Sequence, residues 1–388
     1  MLPSDTEDKI KIIITGDLCP HLRIEKLCVD GQYEKIYNDA LPRLLDKDLS
    51  ITNIECPLTN RINPIKKSGP HLSAKPQSIG AVTFGGFNIA ALANNHMMDH
   101  GYHGLIDTID VCNNAGVSTV GAGDNLQKAS KPLYIKIKNK TIAILNFAEQ
   151  EFSIAEKNTA GANPLNIIDN YHSIQEAKQQ ADILLVIVHG GHEGYPLPSP
   201  RMVQTYRFFA ELGATVVVGH HTHCASGFEV YHGVPIFYSL GNFIFDSNRA
   251  FPDYWYEGYF VELELRGDAD IQLAIIPYEQ CKSEPGIRLM QEGQKNSFIK
   301  RIDEYSSIIQ NDTLLEARWR EFCDSRAVNY LSWLLRLNRV ESMLLKVKLM
   351  RNYLFRATKK MRIVKNLFTC ESHRDIVIQT FKGLFKED

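Results

Sequence analysis

TVVVGHHTH, residues 215–223, is the stretch on which the reading of this chain turns. A β-branched run favours a strand, and this one ends in Gly219 followed by His220, His221 and His223. Open α/β sheets place their ligand sites just past the C-terminal ends of strands. Packing gives little reason to gather three imidazoles in four positions there. In an extended x-H-x-H, alternate side chains share one side, so His221 and His223 are expected to face one metal site.

The same pattern repeats on either side of that stretch. Strand Ile12–Thr15 delivers Gly16 and Asp17, and strand Ser50–Asn53 delivers Glu55. Phe87–Leu92 delivers Asn94, Asn95 and His96, with Asp99 three residues on, and Ile183–Val188 delivers His189. Further strands are expected at Val117–Val120, in hairpins Leu133–Lys138/Thr141–Phe147 and Phe228–Tyr231/Val234–Tyr238, and in a last hairpin Tyr259–Leu265/Ile271–Pro277. Tyr33–Leu45, Gly104–Asn114, His172–Gln180 and Met202–Leu212 read as helices, and Asn242 as a turn residue. Alternating β and α units with interposed hairpins predict an α/β domain over 8–282.

From about Ser283 the strand signals stop, and 283–388 reads as a helical, basic extension with helices at Ser297–Ile309, Thr313–Asn329 and Leu331–Leu354. Leu337, Val340, Leu344 and Val347 follow the 3/4 spacing of an apolar helix face, which Met343, Met350 and Leu354 continue. Thirteen Lys and Arg stand against five acids between Leu331 and Asp388. The whole chain has 43 Lys and Arg against 45 Asp and Glu, a net −2, so an acidic body carries a basic tail. This balance gives no reason to expect nucleic acid. Peripheral contact with an anionic membrane, a synthase or an anionic polymer through the tail stays open. Hydrophobic residues at 44% and charged residues at 23% are the proportions of a folded globular chain.

No apolar run approaches the roughly 18–20 residues of a membrane span, and MLPSDTEDKIKIIITGD carries acids where a secretory leader carries positive charge. The eight cysteines contain no C-x-x-C pair. Reduced thiols and a cytoplasmic location, peripheral to a membrane at most, are the expectation. Gly121-Ala122-Gly123 lacks the third glycine of a dinucleotide loop.

Asp17, Glu55, Asn95, His189, His221 and His223 together offer two carboxylates, an amide oxygen and three imidazoles. Such mixed nitrogen and oxygen donors suit one or two divalent ions of manganese, zinc or iron, not calcium. Ions so held activate water for attack on a phosphoryl or carbonyl group. His96 is placed to protonate a leaving group, with Asp99 as its orienting acceptor.

Gly16-Asp17, N-x-E-x-P at 53–57, N-N-H-x-x-D-x-G at 94–101, H-G-G-x-E at 189–193, G-x-H-x-H at 219–223 and GVPIFYSLGNFIFD at 233–246 resemble, in order, the CapA family. These are capsule and poly-γ-glutamate biosynthesis proteins within the calcineurin-like metallophosphatase superfamily. The resemblance covers about 10–250 and implies a four-layer α/β/β/α sandwich with metals at the strand ends. It implies Asp17 and His223 on one metal, Asn95, His189 and His221 on the other, Glu55 bridging, and His96 beside the leaving group. His220, Glu193 and Asn242 are supporting or substrate candidates. Two departures stand out: the superfamily's D-x-H is Asp17-Leu18-Cys19 here, and Glu55 replaces an aspartate. They leave open whether one ion binds, on the Asn95/His189/His221 side, or two. Two readings of function follow, a metal-dependent hydrolase of a phosphoester or γ-glutamyl-type amide and a non-catalytic, metal-stabilised accessory subunit of polymer synthesis or export.

Overall fold

A computed structural model describes residues 9–266, 270–335, 343 and 359–384. The strands up to the chain's middle are β1 (Lys9–Cys19), β2 (Leu49–Ile54), β3 (Ile89–Ala91), β4 (Ser118–Val120), β5 (Ala122–Gly123), β6 (Leu133–Ile137), β7 (Lys140–Ala148) and β8 (Gly161–Ala162). Beyond them come β9 (Ile183–His189), β10 (Val216–His220), β11 (Phe228–Tyr231), β12 (Val234–Phe237), β13 (Asn242–Phe245), β14 (Glu257–Arg266), β15 (Asp270–Gln280) and β16 (Ile287–Leu289).

Two sheets dominate. The first has the order β16-β15-β14-β1-β2-β3-β4, with β13 also paired to β1, and the second β11-β12-β10-β9-β7-β6. Period-two alternation in β1 makes this a layered fold. Ile10, Ile12 and Ile14 enter a core shared with Ile142, Ile144, Leu185, Ile187, Val216 and Val218 of the second sheet. Ile13 and Leu18 face the other way, onto Ile24, Ile36, Val82 and Leu105 of the flanking helices. On the outer face of the second sheet, Phe147 packs against Phe209 of helix Pro200–Glu211. Helix, sheet, sheet and helix form the α/β/β/α sandwich.

Local chemistry shifts several expected elements. The helix expected over Tyr33–Leu45 is broken into Glu34–Tyr37 and Leu41–Leu45 by a 3₁₀ turn at Asn38–Ala40. Asn38 adopts φ 45°, outside helical space, and Pro42 lacks the donor that an unbroken helix would need. Asn242 is not in a turn: it opens β13, in parallel register with Asp17 of β1. Helix Asp312–Leu335 runs through the break expected near Tyr330. The rest of the helix expected to reach Leu354, with its apolar stripe, lies outside the described residues apart from Met343, which is exposed.

The compact unit closes at Glu316, past the boundary suggested near residue 283. Ile287–Leu289 adds an antiparallel edge strand to β15, and helix Glu292–Ile309 buries Phe298 and Ile302 in the inter-sheet core. The second unit is Ala317–Asp388; within it, helices Lys359–Thr369 and Glu371–Leu384 pack on each other.

Candidate metal centre

The strand ends of both sheets converge on one buried cluster. β1 and β2 run parallel, so Asp17 lies in register with Asn53, two residues before Glu55. In the second sheet His189 ends β9 beside His220, the last residue of β10. Gly16 permits the close approach of the crossing segment, since a Cβ there would collide with the Gly241 carbonyl. Asp17 N–H donates to that same carbonyl at 3.2 Å.

Two groups that could each hold a metal ion result, each with its donor atoms within 4.8 Å of one another: Asp17, Glu55 and His223, and Glu55, His189 and His221. Glu55 belongs to both. Its Oε1 lies 3.5 Å from His189 Nε2 and 3.6 Å from His223 Nε2. His221 Nδ1 lies 3.1 Å from His189 Nε2, close to the spacing of about 3.0–3.4 Å set by two nitrogens bound at ~2.1 Å to one ion. Asn95 Oδ1 stands 3.1 Å from His189 Nε2 and joins the second group. All six residues picked out as ligands thus lie in one cluster, and each group draws on both sheets.

The extended x-H-x-H expected from spacing is not what carries the two histidines. The strand stops at His220, and His221 (φ 91°) and His223 (φ 55°) both take left-handed backbone, which is costly for residues other than glycine. The His221 N–H donates to Asp17 Oδ2 at 3.0 Å, fastening the turn to the first sheet. The two rings consequently serve different groups, not one.

Neighbouring side chains fix the donor atoms. His223 Nδ1–H donates to Asn242 Oδ1 at 2.9 Å, leaving Nε2 for the ligand group, and the Asn242 amide donates to the Trp255 carbonyl at 3.1 Å. Asn95 Nδ2 donates to Glu151 Oε2 at 2.9 Å, which turns the amide oxygen towards His189. Asn53 Nδ2 donates to Asp17 Oδ1 at 2.7 Å. His220 has a structural place instead, its Nε2 lying 2.9 Å from the Thr15 carbonyl across the sheets. Cys19 belongs to neither group, and burial and Cys56 push its thiol pKa well up.

The fit to cations is read from Glu55. It is wholly buried, neither carboxylate oxygen has a hydrogen-bond partner, and burial together with Asp17 and Glu193 pushes its pKa well above the carboxylate range. A carboxylate in such a place is stable when it neutralises a cation. Burial, His221 and the other nearby imidazoles hold His189 well below its usual pKa; burial and His223 lower His221. Unprotonated rings are what a metal requires.

His96 and Asp99 sit beside this cluster, with His96 Nδ1 2.7 Å from Asp99 Oδ2. Residues not singled out by sequence complete the surroundings. Glu149, Gln150 and Glu151 follow β7 and, with Asn95, His189, Gly191 and His221, line a cavity of about 300 Å³. Glu149 pairs with Arg201 and accepts from Gly191 N–H at 2.7 Å. Strand-end position, the signal that marked His189, marks these acids too. Lys67 lies in an irregular loop with no such signal.

A family model described as "Bacterial capsule synthesis protein PGA_cap" matches residues 11–247. The chain belongs to this family. The PGA_cap family is part of the metallophosphatase-like superfamily, and the match ends before helix Glu292–Ile309. The chain is similar to the PGA biosynthesis protein CapA of Bacillus subtilis (strain 168), 34% identical over 62% of this chain and 65% of that one. It is also similar to the capsule biosynthesis protein CapA of Bacillus anthracis, 30% identical over 72% of this chain and 69% of that one. A Mycobacterium tuberculosis (strain ATCC 25618 / H37Rv) protein described as a probable polyglutamine synthesis accessory protein is 26% identical over 51% of this chain and 56% of its own length. The chain thus spans just under two thirds of the Bacillus subtilis relative. Among the described residues of this PGA_cap chain, no helix is long and apolar enough to cross a membrane.

Proposed function

We propose that this PGA_cap chain is a metal-dependent hydrolase in capsule or poly-γ-glutamate assembly, cleaving a phosphoester or a γ-glutamyl-type amide. The observation that carries the reading is Glu55, a buried carboxylate with two unpartnered oxygens shared by two histidine-containing groups. Asp17, Glu55 and His223 would hold one divalent ion, and Glu55, Asn95, His189 and His221 a second. Manganese, zinc and iron suit this donor set. When bound, such ions supply Lewis acidity and water activation.

The chain's own residues supply the rest. Glu151 holds the Asn95 amide in its donor orientation, and the cavity beside it admits substrate to the ligand groups. His96, held through Nδ1 by Asp99, has Nε2 to protonate the departing alcohol or amine. Turnover of aryl phosphodiesters, aryl phosphomonoesters and a γ-glutamyl anilide with manganese tests the reading. Wild type is expected to be active, His96→Ala to fall by about 10²–10⁴, and His221→Ala to lose metal-dependent turnover. No metal-dependent turnover of any of these by wild type would overturn it.

A second reading, a metal-stabilised accessory subunit, draws on the unit 317–388. That unit leaves Trp333, Ile363, Phe368, Ile376 and Phe381 exposed within a strongly basic segment. An apolar, basic surface suits contact with an anionic lipid surface or a synthase, and the mycobacterial relative's description as an accessory protein agrees with it.

A further inference from the structure

Lys67 is the least expected charge near the site. Its side chain is 1% exposed, in the irregular loop between Thr59 and Ala74. A buried ammonium is costly unless paired. Its Nζ pairs with Asp99 Oδ1, lies 3.2 Å from His96 Nδ1, and sits over the Phe152 ring, 5.5 Å from its centroid. One lysine thereby ties its own loop to two further chain segments, 96–99 and the one that carries Phe152.

Asp99, fully buried, is the hub of this assembly. Its Oδ2 accepts from Leu72 N–H at 2.7 Å and lies 2.7 Å from His96 Nδ1, and its carbonyl accepts from Ile65 N–H at 3.1 Å. A ring nitrogen lone pair and a carboxylate oxygen repel at that distance, so His96 Nδ1 carries a proton and donates it. An ammonium has only donors to offer. With Nδ1 protonated, the 3.2 Å approach of Nζ to that nitrogen offers no acceptor, so the ammonium bonds Oδ1 and leaves Oδ2 for the ring.

We infer that Lys67 is a positioning residue: by engaging Asp99 Oδ1 it fixes the carboxylate that holds His96 Nδ1–H, so that Nε2 is the atom presented to the leaving group. The task assigned to His96 rests on the hydrolase reading; the arrangement of the three side chains does not. Without Lys67, Asp99 is a buried charge free to turn towards other donors, and His96 loses its fixed tautomer and orientation.

Two readouts test this on the whole chain loaded with zinc. The first is turnover of aryl phosphodiesters with leaving phenols from dinitrophenol to phenol. Lys67→Met is expected to lose about 10²-fold on the phenyl ester, as for a misplaced catalytic group, while the dinitrophenyl ester, which needs no proton donor, changes by less than about threefold. The second is the two-bond proton–nitrogen NMR spectrum of histidine-labelled protein, with His96 assigned through His96→Gln. Wild type should show a single Nδ1–H tautomer and Lys67→Met a mixture. Lys67→Met/Asp99→Asn removes both buried charges and covers the case in which the single variant does not fold; because Lys67 acts through Asp99, it should show the same two defects as Asp99→Asn alone and no further loss, and a further loss would overturn the inference.

Wild-type leaving-group dependence with an unchanged His96 signal in a folded variant would overturn the inference. So would an equal loss on every ester with that signal intact. Should wild type cleave neither these esters nor a γ-glutamyl anilide, the hydrolase reading fails, and the spectrum alone still decides the role of Lys67.

Discussion

Glu55→Gln separates the cost of a buried carboxylate from its use. In the metal-free protein burial, Asp17 and Glu193 raise the Glu55 pKa well above normal. The folded state then binds one more proton than the unfolded chain between the unfolded value of about 4.3 and the raised folded value. Stability must fall as pH rises through that interval, by up to about 1.4 kcal/mol per pH unit. His189 and His221 act in the opposite sense. Their folded pKa values are lowered, so their contribution rises with pH and levels off only about one pH unit above the unfolded value of about 6.5. The thiols of Cys28, pushed up to about 11, and of Cys112, Cys224 and Cys281, pushed up to about 12, lower stability only near and above the unfolded thiol value of about 8.5. Glu55→Gln keeps the same histidines and thiols, so the difference between the two proteins isolates Glu55 between about 4.3 and its raised folded value.

Chelator-treated wild type should lose up to about 1.4 kcal/mol relative to Glu55→Gln for each pH unit within that interval, or about 2–4 °C in Tm for a domain of this size. Calorimetric melts of both proteins at half-unit pH steps measure it. With metal the order reverses: wild-type affinity should rise about tenfold per pH unit as the Glu55 proton is displaced, and Glu55→Gln should bind more than about 10²-fold more weakly, exceeding the loss of a supporting residue. Parallel melts of the two metal-free proteins over this window would refute the reasoning, as would equal metal affinity.

Four further outcomes are expected. His221→Ala should leave one ion bound where wild type holds two, by elemental analysis of protein purified without chelator. Asn242→Ala, which frees His223 Nδ1–H, should weaken one of two calorimetric binding steps by about 10–100-fold and spare the other. Gly16→Ala, whose methyl would meet the Gly241 carbonyl, should cost about 3 kcal/mol or more in urea melts. If the basic tail meets anionic lipid, the chain should pellet with phosphatidylglycerol vesicles and not with neutral ones, and Phe368→Glu with Ile376→Glu should cut that binding at least about tenfold.

The candidate ligands were legible because they follow strand ends, His221 and His223 sharing one, so β-branched apolar runs such as Ile12–Thr15 and Ile183–Val188 locate them without knowledge of the pairing. Tertiary partners decide the rest. His221 and His223 look like alternate residues of a strand, yet the Asp17 carboxylate, 204 positions away, receives the His221 N–H and helps turn the backbone left-handed. Asn242 follows a glycine and looks like a turn; its strand exists because β1 offers a parallel edge. Lys67 is one lysine in a polar loop, and nothing local shows that Asp99 will bury it.

Metal stabilisation alone will not separate the hydrolase from the accessory subunit. Each ligand group draws carboxylates from the first sheet and imidazoles from the second, so bound ions would clamp the sandwich in either case. His96, Asp99 and Lys67 discriminate. None belongs to either ligand group, and a buried lysine–carboxylate pair is a weak source of stability because desolvation offsets its attraction. A protein that only needed the metals would lose little by replacing the three with apolar side chains of similar volume. Their burial around the Nδ1 of an imidazole next to Asn95 is accounted for by a ring that must be held in one tautomer, and proton transfer to a leaving group imposes that requirement.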